Sequence, residues 1–86
     1  QLRLASHPCQ LAVMNDSINF IDNSGTTSLH KGSNVIGRSV KCSVKIDPSE
    51  KYVSRTHLHV FVTDSHMLQL MDTSAEGTFI SSDVLK

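Results

Sequence analysis

The apolar residues of this chain recur at every second position in short runs, and no stretch sustains a helical period. Leu2 and Leu4 alternate with Arg3, and Leu68 and Leu70 with Gln69. Leu58, Val60 and Val62 share one face, opposite His59, Phe61 and Thr63. Period-two patterning sets one side of a strand against a core and the other toward solvent. Turn-forming residues separate the runs: Asn23-Ser24-Gly25, Lys31-Gly32-Ser33-Asn34, Asp47-Pro48-Ser49 and Asp64-Ser65. The pattern predicts strands over Leu2–Ser6, Gln10–Val13, Ile18–Phe20, Ser28–Leu29, Asn34–Gly37, Ser43–Ile46, His57–Val62, Met67–Asp72 and Thr78–Ile80. The polar stretch Asp22 to Ser28 reads either as a loop or as a hairpin tip. Short strands at close spacing predict an all-β sandwich or barrel.

Length and charge narrow the function classes. The 86 residues suffice for one domain, residues 1–86, with a modest core. Eight basic and eight acidic residues leave a formal net charge of zero. No global attraction to nucleic acid or to an anionic membrane is expected, and an anion would be bound through a local cluster. No apolar run approaches the length of a membrane span. The chain opens at Gln1 rather than Met and without a signal segment, so it is expected to be a piece of a longer protein.

Cys9 and Cys42 make neither a disulfide framework nor a zinc motif, and two reduced thiols in an intracellular protein are expected. The histidines His7, His30, His57, His59 and His66 lack metal-ligand spacing. No metal and no cofactor is expected.

Three segments carry candidate chemistry: Val35-Ile36-Gly37-Arg38-Ser39, then Val53-Ser54-Arg55-Thr56-His57, then Asp72-Thr73-Ser74-Ala75-Glu76-Gly77-Thr78-Phe79. Singly each is weak. An isolated arginine is usually a solvated charge and an isolated loop serine usually caps a turn. Two arginines and a hydroxyl from separate loops could converge on a phosphate, whose oxygens suit the rigid donor fork of a guanidinium. Ser54, His57 and Asp72 also have the residue types of a hydrolase triad. No Gly-x-Ser-x-Gly elbow accompanies them, and a chain this short leaves little room for a deep pocket, so no enzymatic activity is expected.

In this order and spacing, Gly-Arg, Ser-x-x-His and Asp-x-Ser-x-x-Gly-Thr-Phe resemble the signature of the forkhead-associated (FHA) family, over roughly Ser28 to Ile80. The segment from Leu29 to Arg38, with Cys42-Ser43-Val44 after it, is further similar to FHA domains of nuclear DNA-damage mediator proteins. The resemblance implies an eleven-stranded β-sandwich of short, mostly antiparallel strands whose loops at one end bind phosphothreonine. It implies Arg38 as the main phosphate ligand, a hydroxyl contact from Ser54, contacts from Arg55 and Ser39, His57 bracing the loops from within, and Gly37, Gly77 and Thr78 as structural support. The implied partner is a phosphothreonine-containing protein in nuclear, DNA-damage signalling, with phosphothreonine preferred to phosphoserine.

Two departures from the family pattern stand out. Glu76 occupies the place of an asparagine that contacts the peptide backbone, and a carboxylate cannot donate. Ala75 stands where the family often has a hydroxyl. Both are expected to lower affinity; Glu76 would either weaken binding or bias it toward basic flanking residues, unless it is an ordinary turn residue, which is the favoured reading. The family also has further strands after the Gly-Thr-Phe hairpin, whereas this chain ends at Lys86. Either the sandwich is incomplete at its C-terminus or another chain covers the edge, so pairing of two copies is the alternative expectation, a structural or dimerisation module with a degenerate phosphate site.

Overall fold

The computed structural model describes residues 2–14, 16–65 and 67–80; His66 lies outside them. Among the described residues nine strands follow in chain order: β1 Leu2–Leu4, β2 His7–Met14, β3 Ser17–Asp22, β4 Gly25–Ser28, β5 Gly32–Gly37, β6 Val44–Lys45, β7 Leu58–Val62, β8 Leu68–Asp72 and β9 Thr78–Ile80. They form two sheets, β4-β3-β2-β1-β9 and β6-β5-β7-β8. Every neighbouring pair is antiparallel except β5 with β6. The described residues contain no helix. The fold is thus an all-β sandwich of the expected class.

The core lies between the sheets. Leu2, Leu4, Cys9, Ile18 and Phe20 come from the first sheet, and Ile36, Val44, Leu58, Val60 and Val62 from the second. Leu29, Ile46 and Val53 join them from the connections. Each buried aliphatic side chain contributes about 1.5–3 kcal/mol. The long connection between β6 and β7 is therefore held to the core by Ile46 and Val53, both 1% exposed.

All strand ranges but that of β9 shift by one to three residues from the expected ones, and three departures have a plain physical cause. β2 starts at His7 because Leu4 pairs with His7, leaving Ala5 and Ser6 as a two-residue turn. Ala5 takes a left-handed conformation there, φ 55°, which costs a non-glycine residue roughly 1–2 kcal/mol. The polar stretch after Asp22 is a hairpin: β4 begins at Gly25 and pairs with β3, where Ser28–Leu29 was expected as the strand. The Ser24 amide donates to Asp22 Oδ1 at 2.9 Å and shapes that turn. Finally, β8 has the alternation of a half-buried strand but not the burial. Leu68 is half-buried and Leu70 is 41% exposed, because β7 is the only described strand beside β8.

Two buried polar side chains organise connections that periodicity could not predict. Asn34 is fully buried; its Oδ1 accepts the His30 amide, and its Nδ2 lies within bonding distance of the His30, Gly32 and Val60 carbonyls. His7 is buried between two carboxylates, with Nε2 2.9 Å from Asp22 and Nδ1 3.4 Å from Glu50. It ties the β1–β2 turn to the end of β3 and to the connection that follows β6.

Candidate functional site

The three candidate segments meet at one end of the sandwich. β5 runs antiparallel to β7 and β7 to β8, so the end of β5, the start of β7 and the end of β8 are neighbours: Ile36 pairs with Leu58, and Leu58 with Asp72. Beyond these pairs the backbones stay together. The Arg38 amide donates to the Ser54 carbonyl at 3.3 Å, and the Ser39 amide to the Arg55 carbonyl at 3.0 Å. Gly37 makes this approach possible. A Cβ there would lie 2.2 Å from the Arg55 carbonyl oxygen and 2.9 Å from that of Ser54, and backbone oxygens cannot yield that distance.

Arg38 is half-buried, and its Nε donates to the Val53 carbonyl. One donor of the guanidinium is thereby anchored, while its terminal Nη groups have no partner among the described residues. An anchored fork with free outer donors suits a phosphate, because little side-chain freedom remains to be lost on binding.

Ser54 is similarly poised. Its Oγ accepts the Ala75 amide at 3.0 Å, which leaves the hydroxyl proton to donate outward. The Ser39 hydroxyl accepts the Lys41 amide at 3.2 Å and also keeps its proton. Arg55 and Glu76 are exposed, with no side-chain bond to the described residues; Ala75 contributes its backbone amide.

His57 joins the loops. It is fully buried, Nδ1 accepts the Ser54 amide at 2.9 Å, and Nε2 lies 2.9 Å from the Gly77 carbonyl. The carbonyl can only accept and the amide can only donate, so these partners assign the neutral tautomer with its proton on Nε2. The Gly77 carbonyl also accepts the Ala5 amide at 2.8 Å, which draws the β1–β2 turn to the same point.

The third segment is built by its own side chains. Asp72 Oδ1 accepts the Ser74 hydroxyl at 2.7 Å, the Thr78 hydroxyl at 2.8 Å and the Ser74 amide at 3.3 Å. The Ser74 hydroxyl in turn accepts the Gly77 amide at 2.7 Å. Gly77 has φ 92°, a backbone that other residues rarely adopt. The Ser74 hydroxyl bond above all, aided by Thr78, holds the Asp72 carboxyl below the ordinary aspartate value. The relay weighed above is not formed in this arrangement, since the His57 ring nitrogens bond the Ser54 amide and the Gly77 carbonyl, and Ser54 Oγ bonds the Ala75 amide.

Several contributors gave no sequence signal. The Val53 carbonyl holds Arg38, and Cys42 Sγ contacts the Arg55 carbonyl at 3.1 Å. Thr73 links the third segment to the second, its hydroxyl donating to the Thr56 carbonyl at 2.9 Å and its amide to the His57 carbonyl at 3.1 Å. Backbone acceptors leave no trace in residue identity, and a threonine in a polar turn is unremarked without its geometry. No group of three or more described His, Cys, Asp or Glu residues is placed to hold a metal ion.

A family model, FHA domain, matches residues 34–86. Neither the curated proteins nor the solved structures contain a match to the chain.

Proposed function

The chain belongs to the FHA domain family, a family of phosphopeptide-binding modules, and from that premise we propose that it recruits partners by binding a phosphothreonine through Arg38 and Ser54. The observation that carries this reading is the anchored guanidinium of Arg38 beside a Ser54 hydroxyl whose acceptor role is already taken. A phosphothreonine brings nearly two negative charges and three acceptor oxygens. Ser39 and Arg55 lie at the rim and supply a second hydroxyl and a second guanidinium. Phosphothreonine is favoured over phosphoserine on the family resemblance. A nuclear role in DNA-damage signalling belongs to the same proposal and rests on the similarity of the segment from Leu29 to Val44.

Titration with a degenerate phosphothreonine peptide pool, its unphosphorylated twin and the Arg38→Ala protein tests it. Binding should require the phosphate, weaken at least tenfold in Arg38→Ala, and fall with added salt. Equal binding of both pools by folded protein would remove the proposal.

A second reading has its own observation. Among the described residues β8 pairs with β7 alone, and Leu70 and Met71 on it are 41% and 64% exposed. An open edge carrying apolar side chains is a surface for a second copy of the chain. Sedimentation velocity over a wide concentration range should then show dimer rising with concentration. A monomer throughout would discard this reading.

A further inference from the structure

Beside the phosphate-facing loops lies an open groove of about 310 Å³ lined by Ala5, Ser6, Tyr52, Glu76 and Phe79. Its position is set by the same bonds that build the site. Tyr52 precedes Val53, whose carbonyl anchors Arg38. Glu76 stands between Ala75, whose amide bonds Ser54 Oγ, and Gly77, whose carbonyl bonds His57. Tyr52 and Glu76 are thus each next in sequence to a residue whose backbone shapes the candidate phosphate site.

Two of the groove's residues, Phe79 and Ala5, are held in place. The Phe79 ring lies against Gly77, where an added Cβ would approach the ring within 3.3 Å. Ala5 is tied to the Gly77 carbonyl. Tyr52 and Phe79 nonetheless remain 65% and 47% exposed, which presents two aromatic surfaces to solvent. Arg3 lies over the Phe79 ring at 5.1 Å, so the chain's own guanidinium already covers part of this ring and Tyr52 is the more open of the two. Glu76 is the one charged group among the described lining residues, and its carboxylate has no ion-pair partner among the described residues.

The open Tyr52 ring and the uncovered part of Phe79, beside an unpaired carboxylate, suit one class of side chain. The aliphatic stem of lysine or arginine packs on aromatic surface while its cationic head reaches a carboxylate. A carboxylate side chain would meet Glu76 as a like charge, and a purely aliphatic one would leave Glu76 unused. We infer that this groove selects a lysine or arginine flanking the phosphothreonine, so that the ligand is a basic phosphothreonine segment. The inference rests on the phosphothreonine reading above. It explains what Glu76 does in a site that binds an anion: it pairs with the cation that accompanies the phosphate.

The test uses phosphothreonine peptide pools in which each flanking position is fixed in turn as lysine, arginine, norleucine or glutamate. Anisotropy titrations would compare the unsubstituted protein with Glu76→Gln, Glu76→Lys, Tyr52→Ala and Arg38→Ala. At one flanking position lysine and arginine should bind about three- to tenfold tighter than norleucine. Glu76→Gln and Tyr52→Ala should each shrink that ratio, and Glu76→Lys should turn the preference toward glutamate. Arg38-dependent binding that is indifferent to charge at every position, or a lysine preference that survives Glu76→Lys, overturns this inference and leaves the phosphothreonine reading standing. Absence of binding to every phosphorylated pool overturns both.

Discussion

At the scale of single residues, the site shows how identity and geometry divide the information. Gly37, Arg38, Ser54 and His57 were legible because their residue types and spacing are unusual in combination. What holds them was not legible: Val53 and Gly77 act through carbonyls that every residue possesses. Asp72 falls between these cases. Its place in the motif was visible, yet its three bonds became apparent only with the turn in view. Because those bonds lower its pKa in the folded chain, the stability they contribute is fully present above the ordinary aspartate value of 3.8 and is lost as the pH falls through the lower folded value. Urea midpoints measured from pH 5 to pH 2.5 should therefore drop more steeply for the unsubstituted protein than for Asp72→Asn, which keeps an acceptor but cannot titrate. Parallel slopes would show that the carboxylate adds nothing to this turn.

At the scale of elements, alternation identified strands well where one face is covered. β1 and β7 have buried residues at every second position, as their sequences predict. Alternation misled at β8, because period two reports which side chains share a face and not whether anything lies on that face. It also missed β4, every residue of which is exposed, since a strand with no buried residue has no hydrophobic period to read. The edge of β8 carries the dimer reading: Leu70→Lys would place a charge on it, and any self-association through that edge should weaken with this substitution. An unchanged sedimentation profile in a self-associating sample would move the contact elsewhere.

At the scale of the whole molecule, both sheets share one core, and the two cysteines probe different parts of it. Cys9 and Cys42 are free thiols, 8% and 5% exposed. Burial pushes Cys9 up to about 12 and raises Cys42 as well, so neither favours the reactive thiolate. Cys9 belongs to the core, whereas Cys42 touches the backbone of the Arg55 loop. A disulfide-exchange reagent should label both slowly in native buffer, at one shared rate set by global unfolding. Faster labelling of Cys42 alone would mean that the end carrying the Arg55 loop opens while the sandwich stays closed.

The Gly77 carbonyl has a further consequence, for the order in which the molecule is completed. It receives the Ala5 amide and the His57 ring, so one oxygen gathers groups from near both ends of the described chain and from its middle. Contacts between such distant positions require loop closure before they return any energy. A nascent chain emerging from the ribosome has no such junction until Gly77 has been synthesised, however well its early hairpins have formed. Once formed, that single oxygen reports that segments far apart in the chain have come together.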